Sequence, residues 1–211
     1  MGSARLMKEK IPLDTLKDRE IFRSDGKVRS YKKAFPLILQ KAKDGDRFYQ
    51  NYLGFCLQKG LGAPPDLKLA RVWYQRAAKN GSNEAMGNLA LMYDQGIGVR
   101  RNAKQAFKWY KAGAVHRDPW CQANLGTLFA QGTGTKANAR KALLWWHKAA
   151  HGGDSVAAYN LGVAFQDGEI ISADEDKSNH WFELAALRGH KKAQATLMRS
   201  STRSHSEQPV R

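Results

Sequence analysis

Cysteine is nearly absent: Cys56 and Cys121 are the only two in 211 residues, too few for the disulfide framework of a stapled secreted domain. No apolar run approaches the roughly 20 residues that a membrane-spanning helix needs. The first thirty residues have no apolar core followed by a small-residue cleavage site, so no secretory signal is expected. They also hold Glu9, Asp14, Asp18, Glu20 and Asp25, unlike an acid-poor transit peptide. These absences make the cytoplasm the expected compartment. Catalytic motifs are missing as well: there is no H-E-x-x-H, no G-x-x-x-x-G-K-[ST] and no G-x-S-x-G. Acids are scarce, 19 against 35 lysines and arginines, which leaves a net charge of +16. The 42% hydrophobic and 26% charged residues fit a folded chain rather than a disordered one.

What the sequence does have is repetition. Trp73, Trp109, Trp145 and Trp181 are each 36 residues apart, as are Leu53, Leu89, Leu125 and Leu161, and Gly60, Gly96, Gly132 and Gly168. Three columns in one register, each present in four copies, define four units. Each unit reads as two helices. The first carries a narrow apolar stripe, such as Leu89, Ala90 and Tyr93, behind the N-cap candidates Asp46, Ser82, Asp118 and Asp154. The second opens at Asp66, Asn102, Asn138 and Asp174 and carries apolar residues at helical spacing, as in Ala70, Trp73, Tyr74, Ala77 and Ala78. Gly81, Gly153 and Gly189 mark the exit from the second helix. The third copy of that column is Arg117, so this turn is expected to be built differently. Ala90, Gly126 and Gly162 stand where a bulky side chain would hold the helices apart, and stacked pairs would bury one continuous core.

These residues carry a family resemblance. The pattern A-x-x-N-L-G-x-x-Y-x-x-G-x-G-V…D-x-x-K-A-x-x-W-Y-x-K-A-A-x-x-G, matched best by Ala85 to Ala114 and Ala123 to Ala150, resembles the Sel1-like repeat, a relative of the tetratricopeptide repeat. The resemblance implies an all-α, right-handed superhelical solenoid of antiparallel helix pairs, about nine helices here, with the first helices lining the concave side. It implies protein scaffolding more often than catalysis, in bacterial signalling, envelope assembly, host interaction or neutralisation of a toxic effector. Some secreted relatives staple each repeat with a cysteine pair, and this chain has no such pairs.

The expected organisation is a polar, mobile extension at 1–29, a degenerate capping helix at 30–45, repeats at 46–81, 82–117, 118–153 and 154–189, a capping helix at 190–198 and a disordered tail at 199–211. Pro36 in the first cap argues for a kink or for a helix that starts near it. The fourth unit has Ile170 where the others have Gly62, Gly98 and Gly134, and Ser178 in place of the alanine of Ala70, Ala106 and Ala142.

His147 and His151 stand four apart, a spacing able to hold a metal, but no further ligand stands nearby on that helix. They read as polar surface, and neither a metal nor a cofactor is expected. The loops GIGVRR and GTGTKA sit between helices and not after a strand, so their glycines belong to the repeat. Between Arg100 and Lys148 ten basic residues face one acid, Asp118, whereas Asp154 to Gly189 holds seven acids and two bases. The basic patch comprises Arg100, Arg101, Lys104, Lys108, Lys111, Arg140, Lys141 and Lys148. Counting from the caps, the inner wall is expected at Phe48, Asn51, Glu84, Leu91, Asp94, Trp120, Thr127, Tyr159 and Gln166. Large apolar groups there are not needed by the repeat core and suggest a bound partner. The reading is a non-enzymatic adaptor that captures a protein or peptide, acidic if the basic patch steers it. The alternative is a nucleic-acid-associated factor using the stretch 100–148. A hydrolase with Glu84 and Asp94 in the groove is a distant third.

Overall fold

Helix starts recur in this chain because capping side chains recur. Asp46, Ser82, Asp118 and Asp154 each accept a backbone N–H of the following first turn: Phe48 at 2.8 Å and Tyr49 at 3.1 Å, Ala85 at 3.2 Å, Cys121 at 2.8 Å and Ala157 at 2.8 Å. Asp66, Asn102, Asn138 and Asp174 do the same for the second helix of each unit. Each cap satisfies a donor that the helix itself cannot, for about 1 kcal/mol.

The computed structural model describes residues 30–206. They form ten helices: α1 (Tyr31–Lys43), α2 (Arg47–Lys59), α3 (Leu67–Lys79), α4 (Asn83–Gln95), α5 (Ala103–Val115), α6 (Pro119–Gln131), α7 (Ala139–His151), α8 (Ser155–Asp167), α9 (Glu175–Leu187) and α10 (Lys191–Ser206). The fold is all-α, with consecutive helices packed as antiparallel pairs. The chain divides into two compact bodies, one ending at Ala112 and the other beginning at Gly113. Among the described residues no helix is long and apolar enough to cross a membrane. The expected extension at 1–29 lies outside the described residues. The terminal helix α10 continues past Met198 to Ser206, so 199–206 is helical where a disordered tail was expected. The apolar pattern stops at Met198, and a helix can run on beyond the packed face that announces it. Pro36 lies inside α1, which starts at Tyr31, well before it.

In the first body α1, α2, α3 and α4 pack in succession around Ile38, Tyr49, Leu53, Tyr74, Leu89 and Met92. In the second, α6 packs on α7, α7 on α8, α8 on α9 and α9 on α10. In three of the four pairs the close approach follows from a glycine of the first helix, the second pair having Ala90 there. A Cβ on Gly54 would lie 2.8 Å from the Tyr74 ring, on Gly126 2.5 Å from the Trp146 ring, and on Gly162 2.6 Å from the Phe182 ring. The rings that use this space, Tyr74, Trp146 and Phe182, are buried. Ser178, which replaces the column alanine, is buried and donates its hydroxyl to the Gly162 carbonyl at 2.9 Å, so its polar atom is satisfied.

The turn leaving each second helix corrects one expectation. Gly45, Gly81, Gly153 and Gly189 adopt φ of 97°, 84°, 93° and 82°, and Arg117 joins them at 62°. The turn at Arg117 is therefore built as the others are. Arg117 N–H reaches the Ala114 carbonyl at 3.1 Å and Asp118 N–H reaches Gly113 at 3.2 Å, matching Gly81 on Ala78 and Ser82 on Ala77. A side chain in this region carries a strain of about 1–2 kcal/mol that glycine does not. Ile170 is not in the left-handed region, so the fourth unit's loop turns without the conformation of Gly62, Gly98 and Gly134.

A carbonyl staple joins neighbouring units. Gln50, Gln122 and Gln194 donate their amides to the carbonyls of Ala42, Ala114 and Ala186 at 3.2, 3.1 and 3.2 Å. The intervening copies of that column are Met86 and Ala158. There the Ala150 carbonyl is taken instead by the Arg188 guanidinium at 2.6 Å.

Candidate functional site

In the first body the expected inner wall is only partly open. Asn51 is 1% exposed and accepts the Asn88 amide at 3.1 Å, and Leu91 is 5% exposed. Both belong to the packing between helices rather than to a surface, whereas Tyr159 and Thr127 at the same positions of later repeats are half-buried. Phe48 is half-buried and stacks on Tyr52 at 6.2 Å, which in turn stacks on Phe55 at 6.3 Å. Glu84 and Asp94 are half-buried, and Glu84 accepts the Ser82 hydroxyl at 3.2 Å.

In the second body Trp120 and Thr127 are half-buried on α6, and Gln166 is exposed on α8. Val156, at the same position of its unit as Trp120, is 48% exposed. Tyr159 is half-buried but its ring is engaged: it stacks on His190 at 4.4 Å and meets Phe182 at 5.5 Å. Thr127 lines a cavity of about 260 Å³ together with Trp146, Asn160, Val163, Asp167 and Glu169. The Thr127 hydroxyl receives the Trp146 indole N–H at 3.4 Å and the Asn160 amide at 3.5 Å, and donates to the Ala123 carbonyl at 3.2 Å. Trp146 and Asn160 were not among the expected site residues. Asn160 had a signal, since Asn88, Asn124 and Asn160 recur one residue before the leucine column.

All eight residues of the basic patch, Arg100, Arg101, Lys104, Lys108, Lys111, Arg140, Lys141 and Lys148, are exposed. Several cover aromatic rings. Lys148 lies over Trp145 at 4.6 Å as Arg76 lies over Trp73, and Lys141 over Phe129 at 5.4 Å as Lys177 lies over Phe165. Cation–ring contacts of this kind contribute packing at the surface. The His147 and His151 rings lie 6.4 Å apart and both meet the Trp181 ring edge-on. Burial, with the neighbouring His151 charge, holds His147 below the ordinary imidazole pKa. Among the described residues no three His, Cys, Asp or Glu side chains gather to hold a metal. Both cysteines are buried outside any disulfide, and burial pushes the Cys56 thiol up to about 12, which suppresses its thiolate.

The Sel1 repeat model matches residues 48–82, 83–114, 121–154 and 155–190, well over half of the chain. A Sel1 repeat protein from Oxalobacter formigenes is 30% identical over 79% of this chain and 68% of its own, with a TM-score of 0.75. A protective antigen present in uropathogenic Escherichia coli, displaying an SLR fold, is 25% identical over 81% of this chain and 36% of its own, with a TM-score of 0.73. An immunity protein from Pseudomonas aeruginosa, 19% identical over 87% of this chain and 70% of its own, shares the fold at a TM-score of 0.55. No curated protein matches the sequence. With the family pattern running through four consecutive helix pairs, the chain belongs to the Sel1 repeat family.

Proposed function

We propose that this protein is a non-enzymatic adaptor that holds a protein or peptide on the exposed face of its first helices, in the cytoplasm. The observation that carries the reading is Trp120. An indole occupies a position that the repeat does not require to be aromatic, since the matching residues are Phe48, Glu84 and Val156. It remains partly exposed in a body whose own core rings, Trp146, Phe165 and Phe182, are buried. Partly exposed tryptophans of this kind anchor interfaces, because a large rigid group is buried for little lost conformational freedom. On the second body the binding face would comprise Trp120, Thr127 and Gln166, with Tyr159 as a ring already packed from behind. On the first it would comprise Phe48, Glu84 and Asp94. The cytoplasmic assignment is supported by two buried cysteines that form no disulfide.

The test is affinity purification of the full chain from its native cells, with and without nuclease, followed by mass spectrometry. A protein partner that survives nuclease and binds Trp120→Ala at least about thirtyfold more weakly, some 2 kcal/mol, with little change in melting temperature, is the expected result. Loss of every partner on nuclease treatment would transfer function to the basic patch and a nucleic acid.

A further inference from the structure

Arg117 keeps a left-handed backbone where four other copies of the same turn use glycine. The turn's own hydrogen bonds are unchanged by the arginine, so the backbone gains nothing from it. What the position retains is the side chain, and a side chain kept against strain points to a use for it.

That side chain lines an open cavity of about 610 Å³, where the end of α5, the turn to α6 and the end of α7 come together. Arg117, Lys148 and His151 supply cations or a protonatable ring, Trp145 and Val115 supply apolar wall, and no carboxylate lines the cavity. Val115 is left 63% exposed. Among the described residues neither Arg117 nor Lys148 has a carboxylate partner. The helix-end carbonyls nearby do not need these cations. Ala114 receives the Gln122 amide and the Arg117 N–H, Lys148 receives the Gly152 N–H, and Ala150 receives the Arg188 guanidinium. Two permanent cations therefore line an open recess with no counter-charge in its wall.

We propose that this recess binds an acidic polypeptide segment, with its carboxylates on Arg117 and Lys148 and its apolar stem against the exposed Val115. A guanidinium fork matches a carboxylate with two parallel hydrogen bonds. The Trp145 face is already covered by the Lys148 ammonium at 4.6 Å, which removes the stacking platform that a nucleobase would use. Trp120 does not line the recess, so this site and the face proposed above stand or fall separately.

The experiment titrates the full chain with a short oligo-glutamate peptide at low salt, with an oligothymidylate strand and inorganic phosphate as comparators. Saturable oligo-glutamate binding is expected, weakened about tenfold by Arg117→Gly or Lys148→Gln. It should be unchanged in Lys79→Gln, which removes an exposed charge from the other compact body. Arg117→Gly should at the same time melt about 2–4 °C higher, because glycine relieves the strained turn. The proposal is overturned if oligo-glutamate does not bind, or if its affinity ignores Arg117→Gly. Oligothymidylate or phosphate binding more tightly with the same variant dependence overturns it too, as does Arg117→Gly melting lower, which would make the arginine structural.

Discussion

Glycine and its facing ring form the smallest unit that this fold depends on. Gly126 has the tightest such contact within a helix pair, with its absent Cβ 2.5 Å from the Trp146 ring. Gly126→Ala therefore forces the indole to move, and Trp146 is buried and tied to the Thr127 hydroxyl. Overpacking of this kind costs about 1–3 kcal/mol, more than alanine's better helix propensity returns. Thermal unfolding followed by circular dichroism should show the loss, and an unchanged midpoint would mean that the pair can open without penalty. The equivalent contacts at Gly54 and Gly162 should behave alike. The recurring tryptophans drew attention in the sequence because they are invariant in this chain. The adjacent column, Tyr74, Tyr110, Trp146 and Phe182, is the one buried in all four copies, and its changing identity hid it. Packing asks for a large ring there, not for a particular ring.

At the scale of helices, the capping columns were fully legible, since a side chain that accepts from its own first turn acts through local geometry. Rotation of a helix about its axis was not legible, because a one-residue error moves a side chain by about 100°. Asn51 and Leu91 are buried although Tyr159 and Thr127, at the same positions of later repeats, are half-buried, so one column does not share one exposure. The last helix shows a cap that the pattern did not suggest. His190 Nδ1 accepts the Ala193 N–H at 3.3 Å while its ring stacks on Tyr159. Burial, and then the Lys192 charge, hold its pKa below the ordinary 6.5, against a smaller opposing pull from Asp154. A base whose folded pKa is lowered lends stability that is present above the unfolded value and is lost as pH falls through the folded one. Protonation also fills Nδ1 and ends the capping bond. α10 should therefore fray as the pH is taken down from 6.5, read by faster amide exchange at Ala193 and Gln194. In His190→Asn, whose side chain caps without titrating in this range, that pH dependence should disappear.

For the molecule as a whole, repetition makes stability a matter of neighbours, so the ends carry particular weight. α1 places Ala34, Ile38 and Ala42 in the core beside Tyr49 and Leu53. A chain lacking residues 1–45 loses that cover, whereas a chain lacking only 1–29 keeps it. The first should melt clearly below the second in differential scanning calorimetry, and equal midpoints would show that α1 contributes nothing to the array.

The carbonyl staple gives the array a parity. Glutamines at 50, 122 and 194 serve alternate junctions, and the copies between them carry Met86 and Ala158. An array longer or shorter by two consecutive repeats would keep junctions with and without glutamine in alternation, whereas a change of one would set two junctions of the same kind side by side.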